Sequence, residues 1–416
     1  MGLDIPILLS SIYLFISLNA YGWGILHDKR FVFSLGFITI LYLLLNVSIF
    51  AKKILLQQKL KMVLVFTLIV VAVFTTTVNF MYLRNREFVA SYVNDSALQT
   101  EIAGRFLLLK KNPYSESFVK TDLAKWRYED EVGNKRNPAL YQNVIPPFMI
   151  VTSAIGFRIF SQVFGWFDIR IITLFAYLFV MLFGIIRFNF KEKLLFFLIL
   201  VGLNPLFISN IIQGSNDIVV LAFILWSLFF LEKKNFIISG VILGLAIATK
   251  QTAWFALPFF LFYSWKQNFK YFLRFIAPLT VVSLVFYLPF IFWNSQAILN
   301  SLVVYVNSSV SRFPIHPIEG FGFGGLLLSL GVLNSIYAKF PFALFQLFIG
   351  LIIIFILLYS QRKKINVSDV IYSYAILTLI VWFFNRYFLE SHIAYIMVLI
   401  GVSYVLSMND AEKAKI

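Results

Sequence analysis

Met62–Leu83 reads MVLVFTLIVVAVFTTTVNFMYL, 22 consecutive residues without a charged side chain. A helix rising about 1.5 Å per residue crosses a hydrocarbon core of about 30 Å in that length. In lipid the backbone groups must be satisfied within the segment, which a helix does. The stretch that follows has the opposite character: Arg84 to Val144 carries ten Lys/Arg and eight Asp/Glu between long apolar runs. The alternation predicts an all-α polytopic membrane protein whose chemistry sits where this polar island meets the helix bundle, since charge is costly in lipid.

Composition agrees with that reading. Hydrophobic residues make up 60% of the chain and charged ones 13%, far from soluble-domain averages, and one large membrane domain is the expectation. The 49 Phe and 20 Tyr suit lipid-facing and interfacial positions. A net charge of +16 suggests nucleic acid at first sight, but the basic residues cluster at the ends of apolar runs, which excludes that partner. With no Cys there is neither a disulfide nor thiol chemistry. Met1-Gly2-Leu3-Asp4 lacks a basic n-region, so the first apolar run reads as a retained helix rather than a signal peptide.

Twelve spans are predicted, at 5–26, 31–51, 62–83, 170–187, 194–212, 217–231, 236–249, 252–265, 275–293, 341–360, 367–384 and 392–407. One set of loops holds Lys52, Lys53, Lys59 and Lys61, then Arg187, Lys191, Glu192 and Lys193, then Glu232, Lys233 and Lys234. The same side takes Lys266, Lys270 and Arg274, and Arg362, Lys363 and Lys364, for a total of +13. The opposite short loops, at 28–30, 168–170, Asp217 and 386–390, total 0, so the basic side is cytoplasmic and the island faces outward. Counting 145–164 as a further span would abolish that bias. It is therefore expected as a helix on or dipping into the outer face, begun by Pro146-Pro147. By the same argument 321–338, with Gly320, Gly322, Gly324 and Gly325 at its start, is a surface or re-entrant segment. Within the single domain 1–416 the order is N-terminal spans (1–83), outward loop with juxtamembrane helices (84–169) and central spans (170–293). An outward or re-entrant substrate loop (294–340) and C-terminal spans with a short cytoplasmic tail (341–416) complete it.

Several polar residues fall at the outward ends. Asp95 follows Asn94 and precedes the apolar positions Leu98, Ile102, Phe106 and Leu109, which places a carboxylate at a helix N-terminus, as a plain cap or as a general base. Gln213-Gly-Ser-Asn216-Asp217 breaks the chain between two spans, and Asp217 again opens a helix; a cap alone does not need Gln213, Ser215 and Asn216 beside it. Lys250-Gln251 lies between two apolar runs at their outer ends, against the orientation rule, and calls for an anion: a lipid phosphate or a nearby carboxylate. Arg386 reads similarly, with snorkelling as the bland explanation. Arg312, His316 and Glu319 share a Pro/Gly-rich loop able to fold back into a cavity. The three His, at 27, 316 and 392, show no metal spacing, and no phosphate-binding or dinucleotide glycine pattern is present.

Taken in order, these motifs resemble the C-type (GT-C) integral-membrane glycosyltransferases, above all the polyprenyl-phosphate-mannose-dependent enzymes of glycosyltransferase family 87. The likeness rests on Asp95 and its helix, Lys111-Asn112-Pro113-Tyr114, Tyr141 to Pro146-Pro147, Gln213 to Asp217, Gly240 to Gln251, and Phe313 to His316 with the glycine run. It covers residues 90 to 326. Two departures stand out: the loop follows the third span rather than the first, and Tyr141 is separated from the proline pair.

The resemblance implies transfer of a hexose, mannose above all, from a polyprenyl-phosphate donor to a lipid-linked glycan or glycolipid acceptor. Transfer would be inverting, with no metal or cofactor, at the outer face of a prokaryotic plasma membrane. Asp95 is the implied base. Asp217, Asn216, Gln213, His316 and Glu319 would contact acceptor or sugar, and Lys250, Gln251, Arg386 and Arg312 the lipid phosphate. A multi-span transporter or lipid flippase is the main alternative, but the large outward loop and the missing internal repeat speak against it. An assembly scaffold would need no outward carboxylates. The sequence gives no oligomeric state.

Overall fold

The computed structural model describes residues 5–7, 9, 29–47, 54–188, 192–305, 316–363 and 365–413. These residues form a helical bundle capped at one end by the 84–146 excursion. Met62–Leu83 lies inside a long helix made of Ile54–Ile69, a π-helical stretch Val70–Thr75 and Thr76–Arg86. In the wider turn the Thr75 and Thr76 hydroxyls donate to carbonyls five residues back, Val70 O and Val71 O, both at 3.1 Å.

Among the described residues, six helices are long and apolar enough to cross a membrane: Leu56–Arg86, Pro147–Phe164, Arg170–Phe188, Phe269–Val304, Phe342–Ser360 and Glu390–Met408. Glu192–Gly202 and Pro205–Gln213, bent by 58°, make a seventh if they form one span. This differs from the twelve read by hydropathy. The expected span 5–26 falls almost wholly outside the described residues, and 31–51 appears as Lys29–Leu44. Asp217–Glu232, Phe236–Thr249 and Val367–Phe383 are apolar helices of 16, 14 and 17 residues. A perpendicular crossing takes about 20. The expected 252–265 span is divided into a 3₁₀ turn, Gln251–Ala256, and a helix, Leu257–Gln267. Hydropathy measures apolar length and is blind to such breaks.

Pro147–Phe164 starts at the proline pair as expected, with Pro146 in the capping position. It packs along Asp95–Leu108 and also against Phe236–Thr249 and Phe269–Leu299. The 321–338 stretch folds as a short helix, Phe323–Ser329, followed by turns. Phe342–Ser360 keeps most of its apolar surface outward, with Phe348 and Phe355 each 69% exposed, a surface suited to lipid rather than water.

Candidate active site

The first loop supplies Asp95. The cap of its helix is Asn94, whose side-chain oxygen accepts from Ala97 N at 2.7 Å, so Asp95 is the first helical residue and is not needed as the cap. Asn94 N in turn donates to Gln213 O at 3.0 Å, which pins the loop to the end of Pro205–Gln213. Asn137 orients the carboxylate. Its oxygen caps the Pro138–Leu140 turn through Ala139 N, and its amide nitrogen donates to Asp95 Oδ2 at 2.8 Å. The other oxygen accepts from Ser96 N at 2.7 Å. A fixed carboxylate at a helix N-terminus, half exposed, is placed to accept a proton from a bound hydroxyl.

Gly214 ends Pro205–Gln213 in a left-handed conformation (φ 89°), and a Cβ there would meet Ala97 Cβ at 3.0 Å. The chain then turns into Asp217–Glu232, capped by Asn216 without a side-chain bond. Asp217 is buried and accepts from Ser215 Oγ and from Lys250 Nζ, each at 2.7 Å. The anion that Lys250 required is therefore present in the fold. Lys250 keeps 28% of its side chain exposed, and an ammonium has two further N–H donors. Gln251 next to it donates to Val144 O at 3.1 Å and ties this turn to the first loop.

The third component is a clasp between 316–320 and 385–388. Glu319–Gly320 and Tyr387–Phe388 pair as two parallel strands. Gly320 is left-handed (φ 85°), and a Cβ would lie 2.2 Å from Phe388 O, so the glycine run serves close backbone approach. Arg386, 1% exposed, is committed to main-chain carbonyls: Nε to His316 O, one terminal nitrogen to Ala338 O at 2.8 Å and the other to Ile336 O at 2.9 Å. Burial lowers its pKa to about 10, so it is charged at neutral pH. Its place in this structure is to hold the loop. Arg312 lies outside the described residues.

His316 Nδ1 lies 3.0 Å from Pro317 O. A carbonyl only accepts, so Nδ1 carries the hydrogen and Nε2 is left as an acceptor. Burial moves its pKa down, against the opposing pull of the Pro317 bond and Asp95, so the ring is neutral. Its ring packs on Tyr387 with centroids 4.5 Å apart. Glu319 accepts from Tyr128 OH at 3.3 Å. Burial raises its pKa, Tyr128 opposes this, and the charges of Glu131, Asp130 and Asp95 add to the rise.

The fold thus gathers Asp95, Gln213, Asn216, Asp217, Lys250, Gln251, His316 and Glu319 at one end of the bundle from four separate segments. Asn137 and His392 belong there too, and the sequence reading passed over both. His392 Nδ1 accepts from Leu389 N at 2.9 Å, and its ring lies 5.7 Å from that of Tyr387. Nothing in its local pattern marks it. Among the described residues no group of three or more His, Cys, Asp or Glu side chains is arranged to hold a metal.

Residues 103–266 match the family model for the MptA_B family, alpha-(1->6)-mannopyranosyltransferase, N-terminal domain. The match takes in Gln213 to Asp217 and Lys250-Gln251 and agrees with the GT-C mannosyltransferase resemblance of the motifs; Asp95, His316 and Glu319 lie outside it. Among solved structures the chain is similar to ArnT from Cupriavidus metallidurans in the apo state, at 16% identity with a TM-score of 0.40, over 76% of this chain. The chain spans 55% of the length of that protein. No curated protein matches.

Proposed function

We propose that the protein is an integral-membrane glycosyltransferase that moves a hexose, mannose above all, from a polyprenyl-phosphate donor to a lipid-linked glycan or glycolipid acceptor outside the cytoplasm. The observation that carries the reading is Asp95: a carboxylate relieved of capping by Asn94, aimed by Asn137, and set among His316, Glu319 and the Asp217–Lys250 pair. The mannosyltransferase match over 103–266 supports the sugar.

In this mechanism Asp95 accepts the proton of an acceptor hydroxyl as its oxygen attacks the anomeric carbon. The bond from that carbon to the phosphate oxygen breaks, and the configuration inverts. Lys250 offers its two remaining N–H donors to the departing phosphate, whose charge grows as the bond breaks. Asp217 orients the ammonium, and His316 Nε2 accepts from a substrate hydroxyl. None of these steps needs a metal, and activity in excess chelator is the corresponding expectation.

The test is Asp95→Asn in purified full-length protein, with radiolabelled polyprenyl-phosphate mannose as donor. The swap removes proton acceptance and nearly preserves shape. Transfer should fall by about 100-fold or more, as expected for loss of a general base, with donor binding and thermal unfolding unchanged. Activity within about tenfold of wild type would remove Asp95 from that role.

A further inference from the structure

A second feature lies beside the candidate active site. The helix Pro205–Gln213, the turn at Gly320-Phe321 and the start of Glu390–Lys413 line an open cavity of about 340 Å³. That is the lower end of the roughly 300–1,000 Å³ range of small-molecule sites. Its polar wall is Ser209, Asn210, Gln213, Glu390 and Ser391, and Phe321, 67% exposed, adds an aromatic face. No Lys or Arg lines it.

We propose that this cavity is the acceptor subsite, and that it takes one neutral hexose unit of a glycan whose next hydroxyl is presented to Asp95. The inference rests on the glycosyltransferase reading and deepens it. A sugar ring has hydroxyls that donate and accept around its edge, and C–H groups on its faces. Amides, serine hydroxyls and a carboxylate match the edge, and an exposed aromatic ring matches a face. Asn210 on this wall also keeps an Nδ2 with no hydrogen-bond partner, a state that costs free energy and that a turn of the amide toward a ligand hydroxyl would relieve. A phosphate would find no counter-charge here and would face Glu390, so the donor headgroup belongs with Lys250 instead. Continuity with the site is direct. Gln213 O holds Asn94 N at 3.0 Å, one residue before Asp95, and Gly320 follows Glu319.

The probe is octyl α-D-mannopyranoside as acceptor, with polyprenyl-phosphate mannose as donor and full-length protein. Asn210→Ala and Glu390→Gln should each raise the KM for the mannoside by about three- to tenfold, the loss expected for one hydrogen bond to the ligand. The donor KM should stay unchanged and kcat within about threefold. Ser391→Trp should fill the cavity and abolish saturation by the mannoside while donor binding survives. Direct binding is read separately, by saturation-transfer NMR of methyl α-D-mannopyranoside on Asp95→Asn protein, with and without Ser391→Trp. If wild type transfers and all three variants keep the mannoside KM within twofold, the subsite is overturned and the transferase reading stands. A rise in donor KM in step with acceptor KM also overturns it. If wild type does not transfer but the mannoside binds and Ser391→Trp abolishes binding, the subsite is upheld and the transferase reading fails for this acceptor. Absence of both transfer and binding overturns the subsite.

Discussion

Two charged clusters at the same end of the bundle use the same residue types in opposite ways. In the first, Arg84 makes a two-pronged pair with Glu101 at 2.7 and 2.8 Å and bonds Asp168 at 2.7 Å. Arg170 grips Asp168 at 2.7 and 2.8 Å and also reaches Tyr92 O, while Glu101 accepts from Ile169 N at 2.9 Å. All four side chains are at most 5% exposed. Burial alone would raise the Asp168 pKa, but the Arg170 and Arg84 guanidiniums overcome it and hold the carboxyl below its usual range. In the second cluster, Asp95, Glu319 and Lys250 are half-buried, His316 keeps a free acceptor nitrogen, and Lys250 has one carboxylate partner. Closed charge networks hold a loop in place; a site keeps donors and acceptors for a ligand.

The largest effect is expected of Arg84→Met. Glu101 would be left buried with one main-chain donor, and removing one partner of a buried pair costs about 3–5 kcal/mol. Thermal unfolding in detergent should show a drop of that size. A loss below about 1 kcal/mol would mean the network is not structural. Arg386→Met comes next: three main-chain carbonyls lose a charged donor, but a loop can turn them to solvent, which leaves a loss of about 1.5–3 kcal/mol. We expect faster limited proteolysis in 321–340 and lower stability, with donor affinity retained; a selective loss of donor affinity would return Arg386 to the phosphate.

Lys250→Met should cost about 1–3 kcal/mol, less than a fully buried pair because the lysine is partly exposed, and should also weaken donor binding. Lys250→Met with Asp217→Asn separates the two effects. Stability should recover, as the orphaned carboxylate is gone, and transfer should not. Recovery of both would make the pair purely structural.

The smallest effect is that of Glu319. Its folded pKa is raised above the ordinary value of 4.5, so its stability contribution is fully present below that pH and is lost as pH rises through the folded pKa. Glu319→Gln should therefore be slightly more stable than wild type at pH 7, and the difference should vanish below about pH 4.5. A difference that grows on acidification would contradict the burial argument.

Local sequence was enough for much of this. Met62–Leu83 declared a membrane helix because twenty-two uncharged residues have one economical solution in lipid. The proline pair announced the start of Pro147–Phe164, and Asp95 and Asp217 announced helix starts, since caps and proline act over one turn. The misplaced charge of Lys250 even demanded an anion. Which anion was a tertiary matter, because Asp217 lies 33 residues away and only the packing of two helices brings it to 2.7 Å.

The same holds for Arg386, whose three carbonyl partners come from 48 to 70 residues earlier, and for Asn137, 42 residues from the Asp95 carboxylate it aims. That the chain is helical, where apolar length is available and which charges sit at odds with their surroundings all follow from nearest-neighbour chemistry and are legible along the chain. Which of those charges are closed into a clasp and which keep a free donor or acceptor emerges only when the helices pack. Hydrogen-bond satisfaction depends on distances between residues far apart in the chain, and no local pattern encodes them.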